Sequence, residues 1–377
     1  MTSKEDDAED GPTVLYLTTN DISDPVRGCD RRSNQLHHWI STWVETIAIS
    51  YEKSGEQRHR DTGSGHRRFG YPRIGILAPF DPRIYWHLLR QRAKGQRVDV
   101  IIASGMGCLL YAMLARFLFG ARLVVDCHNV ESQLSQDLDD FGHYVFAQTV
   151  ERLALQLADL VLVTSKRDRS QFGEPIREKS LVVANGYDQS VFYPEDSEPA
   201  ARILFFGNMR YPPNEEAVEE IANRIGPTIA EANWTGEIHI AGPHCDRIRP
   251  VVTDVPGVTV VGLVDGIADY IRGSAVVIVP LRTGSGTRLK IIESLACGTP
   301  VVSTPKGAEG WPRNWDSLVV TELNAFPERV LETLASGISP SPTELTAFHE
   351  YTWEQQVSRL KPYLWRLCED QPPMTDA

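Results

Sequence analysis

Paired cysteines are missing from this sequence. Cys29, Cys108, Cys127, Cys245, Cys297 and Cys368 are scattered, with no CxxC among them. That spacing excludes a zinc ribbon and favours buried thiols in a reducing compartment over a disulfide framework. Positive charge is short as well. Against 50 Asp and Glu stand 38 Lys and Arg, a net charge of −12, which argues against a general nucleic-acid binder. Long apolar runs are absent: nothing reaches the ~20 residues of a membrane span. The nearest, "LLYAMLARFLFGARLVV", is broken by Arg116, Gly120 and Arg122 and reads as a buried helix running into a strand. The opening "MTSKEDDAED" is acidic and lacks the apolar core of a secretory signal. Residues 1–11 are therefore expected to be a disordered tail, the protein cytoplasmic, and the "NWT" at Asn233 a chance match. Two nucleotide signatures are also lacking. No Gly-x-x-x-x-Gly-Lys-Ser/Thr occurs, and "VLYLTT" does not lead into Gly-x-Gly-x-x-Gly, which weakens a Walker-type or NAD reading.

What is present is alternation. Over 377 residues, 42% of them hydrophobic, short β-branched runs alternate with helix-period segments, the pattern of α/β domains with parallel sheets. At roughly 100–200 residues per domain the length suggests two. Strands are expected at "VLYLTT", "RIGILAP" (from Arg73), "VDVIIAS", "RLVVDC", "LVLVTS" and "SLVVAN", with a clear helix from about 144 to 158. The stretch "SGEQRHRDTGSGHRRFG" has no periodicity and reads as a loop. Pro, acids and small residues over 193–201 mark a linker. Alternation restarts with "RILFFGN", "EIHIAG", "VTVVGLV", "VVIVP", "PVVST" and "SLVVT". From 343 to 370 one helix is expected, with Trp353, Val357, Leu360, Leu364 and Leu367 on a common stripe. The domains are thus 12–195, 200–342 and a final helix, with ligands at the carboxyl ends of the strands. Between Lys53 and Arg97 eleven basic residues face three acids. This is either a solvated surface or a basic patch suited to an anionic acceptor or peripheral contact with a membrane face.

The most informative stretch is "PLRTGSGTRLKIIESLACGTPVVST", residues 280–304. A buried strand ends at Pro280, a small-residue loop follows, and a helix is expected from about Thr287. Gly284 and Gly286 leave room for first-turn amides to approach a ligand, and such a terminus favours phosphate. On a 100° wheel Lys290 and Glu293 share a face. They read either as a surface pair, or as a cation for phosphate and a carboxylate accepting hydrogen bonds from the vicinal diol of a ribose.

In context this segment resembles the donor-binding segment of family 4 retaining glycosyltransferases. Supporting stretches are "DCHNVES", "ADLVLVTSKRD", "NGYDQSVFYP", "FFGNMRYPPN" and "IAGP". The resemblance implies a GT-B architecture: two Rossmann-like α/β domains facing across a cleft, and a final helix crossing back to the first. It implies a nucleotide-sugar donor held mainly by the second domain, an acceptor held mainly by the first, and no metal or other cofactor. Glu293 matches the ribose glutamate; the partner glutamate eight positions earlier is replaced by Ser285. Of the Arg and Lys that neutralise the diphosphate after the second domain's first strand, only Arg210 has a counterpart. Lys290, or less readily Arg288, which falls on another wheel face, must supply the rest. Ser285, Thr287 and the neighbouring glycines would face the donor. His128 matches a histidine beside the donor sugar and acceptor, with Asn129 and Glu131 as acceptor contacts or as turn and cap residues. Gly28 matches a glycine that lets a loop pass close to the donor. Arg31 and Arg32 beside it face phosphate or merely open a helix. Gly307 and Glu309, in "PKGAEGW", meet sugar hydroxyls or form a glycine-stabilised loop.

The expectation is therefore transfer of a hexose from a nucleoside-diphosphate sugar to a hydroxyl acceptor, with retention and without a metal. A glycan, a lipid-linked or a small-molecule acceptor fits equally. Two rivals are a nucleotide-sugar epimerase of the same fold and a non-catalytic partner protein.

Overall fold

The structure is a computed structural model that describes residues 11–23, 28–52, 66–70, 80–127, 141–196, 198–284 and 286–369. The chain forms two compact units, one of residues up to Ala184 and from Gln356 on, the other Asn185–Gln355.

In the first unit the order is β1 (Val14–Thr18), α1 (Gly28–Ser41), β2 (Thr46–Glu52), β3 (Arg67–Gly70), α2 (Pro82–Ala93), β4 (Val100–Ser104), α3 (Leu109–Phe119), β5 (Arg122–Asp126), α4 (Phe141–Leu157), β6 (Leu160–Val163), α5 (Lys166–Gln171), α6 (Glu174–Glu178) and β7 (Ser180–Val182). The strands make one sheet, β3-β2-β1-β4-β5-β6-β7, every pair parallel. Both faces are covered, so β1 and β4 are buried at every position, as a doubly wound sheet requires. Leu15 and Leu17 pack with Ile84, Leu88, Leu109 and Ala154 of α2, α3 and α4. The alternate residue Tyr16 points the other way and donates its hydroxyl to Ser33 O of α1 at 3.0 Å.

The second unit runs β8 (Ala200–Phe206), α7 (Pro212–Glu220), α8 (Gly226–Glu231), β9 (Glu237–Ala241), α9 (Arg249–Val252), β10 (Val258–Gly262), α10 (Ile267–Arg272), β11 (Ser274–Val279), α11 (Leu289–Ala296), β12 (Val301–Ser303), β13 (Leu318–Val320), α12 (Phe326–Ser336) and α13 (Pro342–Phe348). Its parallel sheet is β10-β9-β8-β11-β12-β13. The strand order reverses between β8 and β11, which opens a crevice at their carboxyl ends.

Four expectations need correction or bounding. "RRFG", read as loop, is β3, an edge strand paired to β2 with Ile49 opposite Arg67. The backbone ladder to β2 and Phe69, which packs on the core beside His87, hold this edge, so its arginines need not be buried. The strand expected from Arg73 lies outside the described residues, as do 53–65 of the basic segment. The segment read as a linker is pinned to the second unit: the Arg272 guanidinium sits 4.5 Å from the Tyr193 ring centroid and 3.5 Å from Glu195.

The helix expected over 343–370 is interrupted, giving α13, a 3-10 turn, α14 (Trp353–Ser358) and α15 (Lys361–Cys368). Tyr187 is the cause of the first break. Its N–H donates to Tyr351 O at 3.0 Å and its carbonyl accepts from Trp353 N–H at 3.1 Å, consuming groups a helix would have used. Pro362, which has no N–H, sits in the first turn of α15. The apolar stripe is nevertheless buried throughout, and α15 packs on β4 of the first unit.

Candidate functional site

Three segments of the second unit meet at the β8–β11 switch point. After β8 the chain turns through Gly207 and Asn208 into α7; after β9 it passes through Gly242; after β11 it enters the loop 280–288 and α11. Gly242 has φ +133°, and a Cβ there would lie 2.0 Å from Gly207 O. The two backbones can come this close only because neither residue has a side chain.

The loop before α11 is anchored along its length. Thr283 Oγ1 donates to Glu216 at 2.7 Å, and Arg282 pairs with Glu220 at 3.1 Å, both on α7. Asn185 Nδ2 donates to Thr287 Oγ1 at 2.7 Å, and Trp311 Nε1 to Arg288 O at 3.0 Å. Gly284 and Gly286 have φ +103° and +75°, left-handed values that explain their identity. Beside Gly284 stand the Tyr211 hydroxyl and the Arg288 guanidinium, which also donates to Gly286 O.

The helix begins at Leu289, two residues later than expected, with Arg288 at the N-cap. The wheel argument that ranked Arg288 below Lys290 therefore does not apply, because Arg288 is not on the helix. No side chain caps α11; its third amide, Ile291 N–H, donates to Arg288 O at 3.1 Å, and the positive end of the helix dipole favours an anion there.

Lys290 reaches from α11 to the end of β8. Its Nζ donates to Asn214 Oδ1 at 3.1 Å and lies 4.5 Å from the Phe205 ring centroid, a cation–π contact. Asn214, on α7, is itself held by Asn208 O at 2.9 Å. Burial, with Arg288 nearby, pushes the ammonium down from 10.5 to about 7, while Glu293 acts in the opposite direction. Glu293 is one turn deeper and 3% exposed. The pair is thus no solvated surface bridge. Lys290 is aimed by Asn214 and Phe205, and Glu293 is buried one turn further along α11.

The other expected residues fall as follows. Arg210 is exposed on the loop after β8, where its N–H bonds Asn208 Oδ1 at 2.9 Å. Gly307 is required by packing, since a Cβ would lie 2.4 Å from Ser303 Oγ and 2.8 Å from Val279 O. Its N–H goes to Thr304 Oγ1 at 2.9 Å. Glu309 pairs with Lys306 at 3.1 Å. In the first unit Gly28 opens α1. Arg32 is 1% exposed and bound to Asp126 at 2.6 Å and to Val183 O at 2.9 Å. Of the two readings for that arginine, the structural one holds. Asp126 also accepts from Ser104 Oγ at 2.9 Å, which meets Ser33 Oγ at 2.9 Å. A buried polar network thus ties α1 to the carboxyl ends of β4 and β5. His128, Asn129, Glu131 and Ser285 lie outside the described residues.

Asn214, Tyr211, Asn185 and Trp311 were not singled out from the sequence. The first two stand in "RYPPN", where a Pro-Pro helix start directly after a strand was the available signal.

A family model described as a glycosyl transferase 4-like domain matches residues 28–202, and one described as glycosyl transferases group 1 matches residues 200–336. No curated protein matches the chain in sequence. Among solved structures, sucrose-phosphate synthase from Thermosynechococcus elongatus superposes with a TM-score of 0.76 at 16% identity, over 96% of this chain and 100% of that one. HepE of Anabaena in complex with UDP gives 0.67 at 15%, over 94% and 99%. A glycosyltransferase from Rickettsia africae gives 0.69 at 13%, over 96% and 100%. At these identities the likeness concerns the fold, which is GT-B. The two family matches adjoin and together run from 28 to 336, and the chain accordingly belongs to the glycosyltransferases, with a 4-like first domain and a group 1 second domain.

Proposed function

We propose that the protein transfers a hexose from a nucleoside-diphosphate sugar to a hydroxyl acceptor, with retention of anomeric configuration and without a metal ion. The observation that carries this is Lys290: a cation held by Asn214 and Phe205 at a switch-point crevice, beside an uncapped helix start. The UDP in the Anabaena neighbour agrees with a diphosphate as the anion.

During transfer the bond from the anomeric carbon to phosphate oxygen breaks and its electron pair stays on the diphosphate. Lys290, Arg288 and the α11 amides stabilise that growing charge, as preorganised donors do in an oxyanion hole. Two protein cations in this place do the work otherwise given to a divalent ion. Glu293 is assigned to the ribose hydroxyls. The acceptor oxygen bonds the anomeric carbon on the face the phosphate leaves, and its proton passes to the departing phosphate oxygen. His128, Asn129 and Glu131 are assigned to the acceptor side by their family match.

The test is a panel of nucleotide sugars incubated with the protein and excess chelator. One donor is expected to release its nucleoside diphosphate at undiminished rate, with the product keeping the donor's anomeric form by NMR. Release of free epimerised sugar, or no turnover and no thermal shift with any nucleotide, overturns the proposal.

Lys290 also sets a pH dependence. In the free protein it loses its proton near pH 7; a bound diphosphate favours the charged form and raises that value. Nucleotide binding above pH 7 must then take up a proton, so affinity falls with rising pH. The expected slope is about tenfold per pH unit between 7.5 and 9. Calorimetric titration with UDP, run in buffers of different ionisation enthalpy, reads both the slope and the proton. Lys290→Arg, which stays charged, is expected to flatten the profile; an equally steep slope in that variant assigns the proton elsewhere.

A further inference from the structure

The outer surface of α2, α3 and α4 is apolar and basic in a chain that is acidic overall. α2 and α3 run side by side and parallel. The Tyr85 ring lies 4.8 Å from that of Tyr111, and seven residues further along Arg92 Nε donates to Leu118 O at 2.8 Å. Ile84 and Leu88 of α2 point into the core. On the opposite side of the same helix Pro82, Trp86, Leu89 and Ala93, at i, i+4, i+7 and i+11, form a second apolar stripe. This stripe is exposed, Trp86 at 68%. Phe117, at the end of α3, is 85% exposed, and Leu153 and Leu157 of α4 are exposed beyond it. Six of the twelve exposed large apolar side chains among the described residues lie on these three helices or, as Phe80, at their entry. A core needs one stripe per helix, and a second one marks a contact surface.

The charges identify the contact. The three helices carry five arginines (83, 90, 92, 116 and 152) and a single acid, Glu151, which is buried. Arg90 and the following Lys94 flank the α2 stripe on one side, within about a quarter turn of Trp86, as does Arg83, which is paired with Asp81. Past the last turn of α2, Arg92, Arg97 and Arg122 line a polar cavity of about 390 Å³ together with Asp99; Arg97 is paired with Asp99 and Arg122 with Asp159. An apolar stripe with a Trp, flanked by bases and without exposed acids, is the composition of a helix lying in a bilayer interface.

We propose that this face docks on a lipid bilayer with anionic headgroups, Trp86, Leu89 and Phe117 entering the acyl boundary while Arg90 and Lys94 meet headgroup phosphates. The proposal does not depend on sugar transfer. It is tested by co-sedimenting the full chain with vesicles of phosphatidylcholine alone or with about a third phosphatidylglycerol. The anionic vesicles are expected to bind about tenfold or more protein, with binding lost as salt rises. Trp86→Ser/Phe117→Ser and, separately, Arg90→Glu/Lys94→Glu are each expected to lower that partition at least about tenfold. Both should leave the melting temperature and nucleotide-induced shift unchanged, since these side chains lie outside the core. Three results would overturn it: no preference for anionic vesicles, binding indifferent to both double variants, or lipid-free self-association that the same variants abolish.

Discussion

Lys290→Ala lowers kcat about 10²–10³-fold, the usual cost of removing one preorganised donor from developing oxyanion charge. Donor KM rises as well, because the same cation already meets the diphosphate in the bound donor, and the loss in kcat comes on top because the charge on the leaving group grows along the reaction. Folding is expected to survive. A buried ammonium held at about 7 is itself poorly solvated, and its removal relieves that cost. The free variant should therefore melt at or above the parent temperature, while the rise caused by nucleotide disappears. In the parent, saturation at a hundred times Kd corresponds to about 2.7 kcal/mol of added stability. Glu293→Gln separates the two tasks: with the ribose contact weakened, donor KM rises while kcat changes less. Steady-state kinetics on the best donor, together with thermal melts, check both variants. Turnover within threefold of the parent in Lys290→Ala would remove the cation from the mechanism.

Arg32→Ala is the second large effect, and it concerns stability. Arg32 and Asp126 form a fully buried pair 2.6 Å apart. Removing one partner strands the other charge, at about 3–5 kcal/mol. For a unit of this size that is a fall in melting temperature of about 10 °C. Replacing both, as Arg32→Met/Asp126→Asn, restores much of the loss, because no isolated charge remains. Donor KM in the folded single variant is expected to stay near the parent value. The opposite pattern, a raised KM with an unchanged melt, would return Arg32 to the phosphate-facing reading that the sequence also allowed.

That arginine shows where legibility ended. "VRGCDRR" shows charges after a strand, but Asp126 is 94 residues away, and no local pattern records such a pairing. The central strands β8, β11 and β12 of the second unit are plain because their buried ends read as continuous apolar runs, and the half-exposed β9 and β10 because β-branched residues dominate or alternate in them. β2, "TIAISYE", went unread: its Ser50 and Glu52 interrupt the run, and beyond β2 only the charged edge strand β3 follows. The stripe on the last helices was right and their continuity wrong. Spacing reports which residues face the core, whereas the break depends on Tyr187, brought there by the fold.

In the site, the glycines, Lys290 and Glu293 were legible because helix period and loop chemistry are local. Asn214, which aims Lys290, lies 76 residues away, and Trp311 reaches Arg288 across 23. These are packing facts that sequence period cannot encode.

The first unit is built from both ends of the chain: Ala184 N–H is held by Gln356 Oε1 at 2.9 Å, and α15 lies on β4. During translation, all strands of that sheet leave the ribosome long before the helix that covers one of them. The second unit, contiguous in sequence, emerges whole in between. The half whose strands are synthesised first is consequently completed only after the other half has been made, and during that interval collapse or chaperone capture competes with completion.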